Sequence, residues 1–289
     1  MNPESGRNPA DRTRRFGGVE RLYGVAALET FRAAHVAVIG LGGVGSWAAE
    51  ALARSGIGRL TLIDLDMIAE SNLNRQIHAL EGNFGKAKVE AMKERIAAID
   101  PECAVTTVED FITVENAAEF CGKGYDFIID AIDQRRPKTA LLAWCRRHRI
   151  PVVTTGAAGG KSDPRRIVVD DLARTVADPL LSKVRAQLRR EFGFPRAADK
   201  KFGISAVFST EAVRAPEIQE KSCHAIDDIM TESKKGPAEL HGLNCGGFGS
   251  SVCVTGSFGF FAAAAVLEYL GKPSGEKPAE KNKDFHDAT

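Results

Sequence analysis

The chain has 289 residues, 44% hydrophobic and 27% charged, enough to bury one large core or two small ones and to be an enzyme. Its 39 Lys/Arg against 38 Asp/Glu leave a formal charge of +1, so the whole-chain charge singles out no class of partner. Six cysteines (Cys103, Cys121, Cys145, Cys223, Cys245, Cys253) never stand at a C-x-x-C spacing, which excludes a locally encoded zinc ribbon or thioredoxin-like pair; no zinc is expected, and the chain reads as reduced and cytoplasmic.

Residues 1–13 are polar, lack the apolar core of a signal peptide and are expected as a disordered tail. From residue 14 to 271 the pattern predicts a single domain. It begins with strand 35–39, helix 44–55, strand 60–64, helix 86–99 and strand 104–108. Helix 113–121, strand 126–130, helix 136–148 and strand 151–155 follow. This alternation predicts an α/β fold, Rossmann-like and doubly wound on a mainly parallel sheet. A Gly-rich turn, "TTGAAGGKSDP" from Thr154, breaks the rhythm. After it come a strand near Arg166–Asp171, a helix near Pro179–Phe192, a strand near Ser205–Phe208 and a polar loop from about Ala215 to His241. The apolar stretch Ser251–Gly271 is long enough to span a membrane. It carries Ser, Thr, three glycines and Glu268, and reads instead as a buried helix, so no membrane partner is expected. Residues 272–289 are charged and aperiodic, a second disordered tail.

Gly40, Gly42 and Gly45 form G-x-G-x-x-G directly after the first strand, with Gly43 between them, and Asp64 ends the second strand. Glycines let backbone approach a phosphate, a helix N-terminus offers free N–H groups, and the acid can accept ribose hydroxyls. Several nucleotides satisfy this motif. The next residues narrow the choice, because "DLDMIAESNLNRQ" crowds Asp64, Asp66, Asn72, Asn74, Arg75 and Gln76 beyond the strand. Hydride transfer has no use for that cluster, whereas nucleotidyl transfer needs cations for a triphosphate and a carboxylate for Mg²⁺. Lys86 and Lys88 at the start of the next helix, and Asp130 and Asp133 at the end of the fourth strand, complete the set.

Together "GLGGVGS", "DLD", "SNLNRQ", "GKAK" and "DAID" resemble the ATP-binding core of the ubiquitin-activating-enzyme superfamily, over roughly residues 14–160. The resemblance implies adenylating-enzyme elaborations in the C-terminal half. It implies ATP and Mg²⁺ as cofactors, ribose binding by Asp64, phosphate contacts from Asn72, Arg75 and Lys88, and Mg²⁺ at Asp133. Arg75, Lys88 and Asp133 are the catalytic candidates. Gly40, Gly42, Gly43, Gly45, Asp64, Asp66 and Gln76 complete the nucleotide site. A homodimer with an arginine crossing from the partner is also implied, with Arg15 and Arg21 as candidates.

The paired C-x-x-C motifs of the sulfur-carrier activators are absent. Instead "RRFGGVERLYG", "NRQIHAL", "RPK", "TTGAAGG" and "VFSTEA" resemble the bacterial tRNA threonylcarbamoyladenosine dehydratases almost end to end. This implies ATP-dependent cyclisation of the threonylcarbamoyl group on the adenosine next to the anticodon, with a cysteine-desulfurase sulfur-transfer system as a further partner. The attacking atom belongs to the substrate, so no cysteine is expected to be essential. A tRNA partner also suits the charge distribution, since residues 134–201 hold 17 Lys/Arg against 6 Asp/Glu while residues 101–133 hold 1 against 8. Within that segment Arg189 and Arg190 are expected to bind phosphates. The alternative is adenylation of the C-terminal carboxylate of a ubiquitin-like or sulfur-carrier protein, with Cys223 or Cys245 accepting the acyl group. An NAD-dependent oxidoreductase and a nucleotide-sensing scaffold are further classes. His78, His224 and His241 show no metal-ligand spacing and carry no assigned role.

Overall fold

The computed structural model describes residues 11–197, 199–214 and 248–272. Strands β1 (His35–Ile39), β2 (Arg59–Ile63), β3 (Ala104–Val108), β4 (Phe127–Asp130), β5 (Val152–Thr155), β6 (Ile167–Asp171) and β7 (Ser205–Ser209) form one sheet. Its order is β3-β2-β1-β4-β5-β7-β6. All neighbouring pairs are parallel except β6, which runs antiparallel to β7. The helices are α1 (Arg12–Tyr23), α2 (Val25–Ala33), α3 (Gly45–Arg54), α4 (Lys88–Ile99), α5 (Ala117–Cys121), α6 (Arg135–Arg147), α7 (Pro179–Glu191) and α8 (Val252–Gly271).

Strand alternation builds two cores. Val36 and Val38 of β1 point to one face, where α2, α3, α4 and α8 pack, while Ala37 and Ile39 point to the other, under α5, α6 and α7. Both faces are covered, which is why the central strands read as continuous apolar runs. Helix α8 supplies Val254, Phe258, Ala262, Ala263, Val266 and Leu270 to the first core. By length and composition it could cross a membrane, but half of it is buried in the fold.

The structure departs from the pattern reading in three places, each for a local reason. Residues 11–13, expected to belong to the N-terminal tail, instead form the start of α1, because Asp11 caps the helix at the Arg14 N–H and Arg12 pairs with the buried Asp100 at 2.9 Å. Helices α1 and α2 escaped the periodicity reading because Gly17 and Gly18 weaken the first of them; docking of Phe16, only 2% exposed, compensates. Helix α5 begins at Ala117 rather than 113, since Thr113 and Asn116 exchange side-chain-to-backbone bonds that hold 113–116 as a turn. The loop expected over 215–241 lies outside the described residues, as does the C-terminal tail beyond Lys272.

Candidate active site

The sheet reverses its winding between β1 and β4, and open α/β sheets bind ligands at the C-terminal ends of such strands. After Ile39 the chain turns through Gly40 at φ 86°, a conformation that disfavours a side chain; a Cβ there would also lie 2.8 Å from the Ala131 carbonyl oxygen. A Cβ on Gly45 would overlap the Gly40 carbonyl oxygen. Gly43 packs beneath the Arg75 side chain, with its Cβ position 3.1 Å from Arg75 Cγ, whereas the Cβ position of Gly42 meets nothing within 4 Å. Gly40 and Gly45 therefore serve the tight turn, and the space above Gly42 is where an anionic group can approach backbone.

Asp64 follows β2 and stabilises that turn, accepting the Leu41 N–H at 2.6 Å and the Asp66 N–H at 2.9 Å. Burial pushes its carboxyl above the ordinary range against the pull of Lys88. Lys88 opens α4 and is 2% exposed; its Nζ lies 2.7 Å from Asp66 Oδ2 and 3.8 Å from Asp64 Oδ1. A short antiparallel bridge between Met67 and Ala87 places it there, with Ile68 N–H donating to Lys86 O and Lys88 N–H to Asp66 O. The same bridge delays α4 to residue 88. Lys86 turns outward to Glu94 at 2.8 Å and takes no part.

Asn72 is buried and its Oδ1 accepts the Ala69 N–H at 3.0 Å, shaping the turn that presents Arg75. Arg75 Nη1 donates to Ser71 O and Asn74 Oδ1, and its carbonyl accepts the Trp47 indole N–H at 2.9 Å. Asn74 donates to Ser250 at the start of α8. Sequence reading missed Trp47 and Ser250, because their contacts join segments distant in the chain. Gln76 is 4% exposed and its Oε1 has no partner among the described residues.

Across the turn, Asp133 is exposed in the loop between β4 and α6. Asp130, grouped with it on sequence grounds, is fully buried and accepts the Thr154 hydroxyl and the Lys138 ammonium. The glycine turn, Asp64, Asp66, Asn72, Arg75, Gln76, Lys88 and Asp133 thus belong to neighbouring loops at one end of the sheet. No group of three or more His, Cys, Asp or Glu able to hold a metal occurs among the described residues. One exposed carboxylate in the loop after β4 fits Mg²⁺ that arrives with a triphosphate, since Mg²⁺ is commonly held by one or two carboxylates plus substrate phosphates.

Other candidates fall elsewhere. Arg15 donates to the Ile99 carbonyl of its own chain, and Arg21 is exposed in the last turn of α1. Cys223, Cys245, His224 and His241 lie outside the described residues. Arg189 also has a part in the fold: its Nε donates to Pro195 O and its guanidinium lies over the Phe202 ring at 5.2 Å.

His78 is 1% exposed, and neither ring nitrogen has a partner among the described residues. Burial, with the charges of Lys88 and Arg95, lowers its pKa from 6.5 to about 3. A histidine that binds fewer protons when folded destabilises the fold as pH falls from 6.5 toward 3. His78→Leu is therefore expected to be neutral or stabilising by about 1 kcal/mol at pH 7. Its stability advantage should grow across that acid window in urea titrations. A variant less stable than the parent at pH 4 would contradict this.

A doubly wound, mainly parallel sheet with a glycine turn after β1, and with Arg75, Lys88 and Asp133 in loops at the same end, has the layout of an ATP-binding adenylating fold. The chain belongs to the ThiF family, whose model matches residues 18–288. Among its relatives, the tRNA threonylcarbamoyladenosine dehydratase of Escherichia coli is 51% identical over 256 residues, covering 89% of this chain and 93% of that protein. The Haemophilus influenzae protein of the same name is 47% identical, with 89% and 94% covered. The crystal structure of the Escherichia coli dehydratase in complex with ATP superposes with a TM-score of 0.78 at 48% identity, over 91% of this chain and 97% of that one.

Proposed function

We infer that this chain is an ATP-dependent tRNA threonylcarbamoyladenosine dehydratase. The observation that carries the reading is the 51% identity to a dehydratase over nearly the whole of both chains. The site suits the chemistry. A free threonine carboxylate is a poor electrophile; attack of its oxygen on the α-phosphorus of ATP forms an acyl-adenylate and expels pyrophosphate. A nucleophilic atom of the same ureido substituent then attacks the activated carbonyl, closes the ring and expels AMP. The substituent has lost one water in net terms. Such an intramolecular attack can be favoured by about 7–11 kcal/mol when well oriented.

In this reading Gly42 and its neighbours receive phosphate, and Asp64 faces the ribose with Asp66 and Gln76 beside it. Asn72, Arg75 and Lys88 contact the phosphates, and Asp133 holds Mg²⁺. The metal would neutralise charge that builds on the departing pyrophosphate. Leu65, Met67, Leu73 and Leu80 expose 40–57% of their surface around this site, which supports a homodimer. The chemistry needs no enzyme thiol. Burial pushes Cys103 up to about 12, and a hydrogen bond with Cys121 together with burial raises Cys145, so both stay protonated. A tRNA substrate supports a cytoplasmic location.

The basic segment splits in space. Arg135 and Arg136 open α6 beside the Asp133 loop, and Arg190 joins them, since Arg190 and Arg135 both lower the pKa of Glu191. Arg147 ends the same helix about 18 Å away at a 1.5 Å rise per residue. We expect Arg136→Glu with Arg190→Glu to weaken tRNA binding about tenfold and flatten its salt dependence, while leaving ATP affinity unchanged. Filter binding over a salt series tests this; an unaltered slope refutes the assignment.

The decisive experiment is mass spectrometry of nucleosides from threonylcarbamoyl-modified tRNA incubated with the protein and Mg·ATP. A nucleoside lighter by one water, formed only with ATP, is the expected result. An unchanged nucleoside would redirect the adenylation site to another carboxylate, that of a carrier protein first.

A further inference from the structure

Lys138 and Asp130 are both fully buried, and their charged groups meet at 2.8 Å beneath the loop that carries Asp133. Burying two charges is costly, and an apolar pair of similar volume often serves stability as well or better. What an apolar pair cannot do is bond to the loop, and this pair holds both polar groups of one peptide-bearing residue. Asp130 Oδ1 accepts the Ile132 N–H at 3.1 Å, and Lys138 Nζ donates to the Ile132 carbonyl at 2.8 Å. Ile132 immediately precedes Asp133. Its other neighbour, Ala131, donates its N–H to Ile39 O, and its carbonyl lies against the α-carbon of Gly40. The Thr154 hydroxyl fixes Asp130 from β5 at 2.7 Å. The loop is therefore held on one side by the glycine turn and on the other by the ion pair.

We propose that the Asp130–Lys138 pair is a positioning device that sets the Asp133 carboxylate relative to the glycine turn, so that the metal and the phosphates are held in one register. The proposal rests on the reading of Asp133 as the metal-facing carboxylate. Neither Asp130 nor Lys138 touches the reacting atoms; each acts through the Ile132 peptide groups. Loosening a reacting group by about 1 Å can cost on the order of a hundredfold in rate, so a partly freed loop should show a large effect with little change in fold.

The test uses the full chain and the double variant Asp130→Asn with Lys138→Met, which removes both charges together while Asn keeps an oxygen for the Ile132 N–H. Calorimetry measures ATP affinity with and without Mg²⁺. Metal-free affinity is expected to stay within about threefold, while the enhancement by Mg²⁺ falls about tenfold and AMP release falls further. Asp133→Asn run in parallel separates the possible failures. If Asp133→Asn removes the enhancement and the double variant keeps it, the positioning role is wrong. If Asp133→Asn keeps the enhancement, the assignment of Asp133 is wrong and the proposal falls with it. Should the double variant not fold, Asp130→Asn alone retains the Lys138 bond to Ile132; an intermediate loss of the enhancement supports the proposal, and none overturns it.

Discussion

Replacing Asp133 by alanine is expected to lower AMP release by about a hundredfold or more while leaving the melting temperature nearly unchanged. Its carboxylate is exposed and no bond to the rest of the described protein depends on it, so the substitution leaves neither a cavity nor an orphaned buried group. The activity loss follows from the role proposed for Asp133, since removal of a preorganised electrostatic group costs on the order of 10²–10³ in rate. In the proposed role Asp133 acts through Mg²⁺, so ATP affinity measured without metal should hardly change. Quantifying released AMP in the presence of tRNA checks the prediction. Activity within a fewfold of the parent would remove Asp133 from the site.

Lys88→Met should have the opposite profile, losing both activity and stability. Lys88 is 2% exposed and balances the buried Asp64 and the half-exposed Asp66, so its removal strands the Asp64 charge, at a cost below the about 3–5 kcal/mol typical of breaking a fully buried pair. Loss of the cation also removes the one nearby charge that lowers the pKa of Asp64, leaving burial unopposed by it. The carboxyl then takes up its proton at a higher pH. An acid whose pKa is higher folded than unfolded binds more protons in the native state, so stability falls as pH rises through that window. The stability deficit of Lys88→Met should therefore be largest at neutral pH and shrink as pH drops toward the raised Asp64 value. Urea unfolding across pH distinguishes this from simple loss of packing, whose cost would be flat with pH.

Where the candidate site's residues fall was largely legible in the linear pattern, because many of them sit where strands end, and strand ends are marked by the change from apolar runs to Gly, Asp and Asn. The turn Gly40–Gly45, Asp64 after β2 and Asp133 after β4 all belong to this kind of signal, whereas Lys88 stands at the head of α4. The helices near the N-terminus did not, since α1 owes its stability to contacts with Asp100 and the docked Phe16 that no local pattern displays. The different surroundings of Asp130 and Asp133 likewise had no local signal. They lie three residues apart in one motif, yet one is sealed against Lys138 and Thr154 and the other faces solvent.

The sequence by itself determined the doubly wound α/β architecture and the nucleotide-binding character of the turn, because periodicity and glycine spacing are properties of neighbouring residues. Tertiary structure alone decided which charges are free to meet a ligand. It buried Lys88 beside two aspartates, turned Lys86 outward, laid Arg189 over Phe202 and divided one basic stretch between the two ends of α6. Burial and charge pairing depend on segments far apart in the chain, and it is these long-range contacts, not residue identity, that set whether an ionisable group supports the fold or serves the substrate.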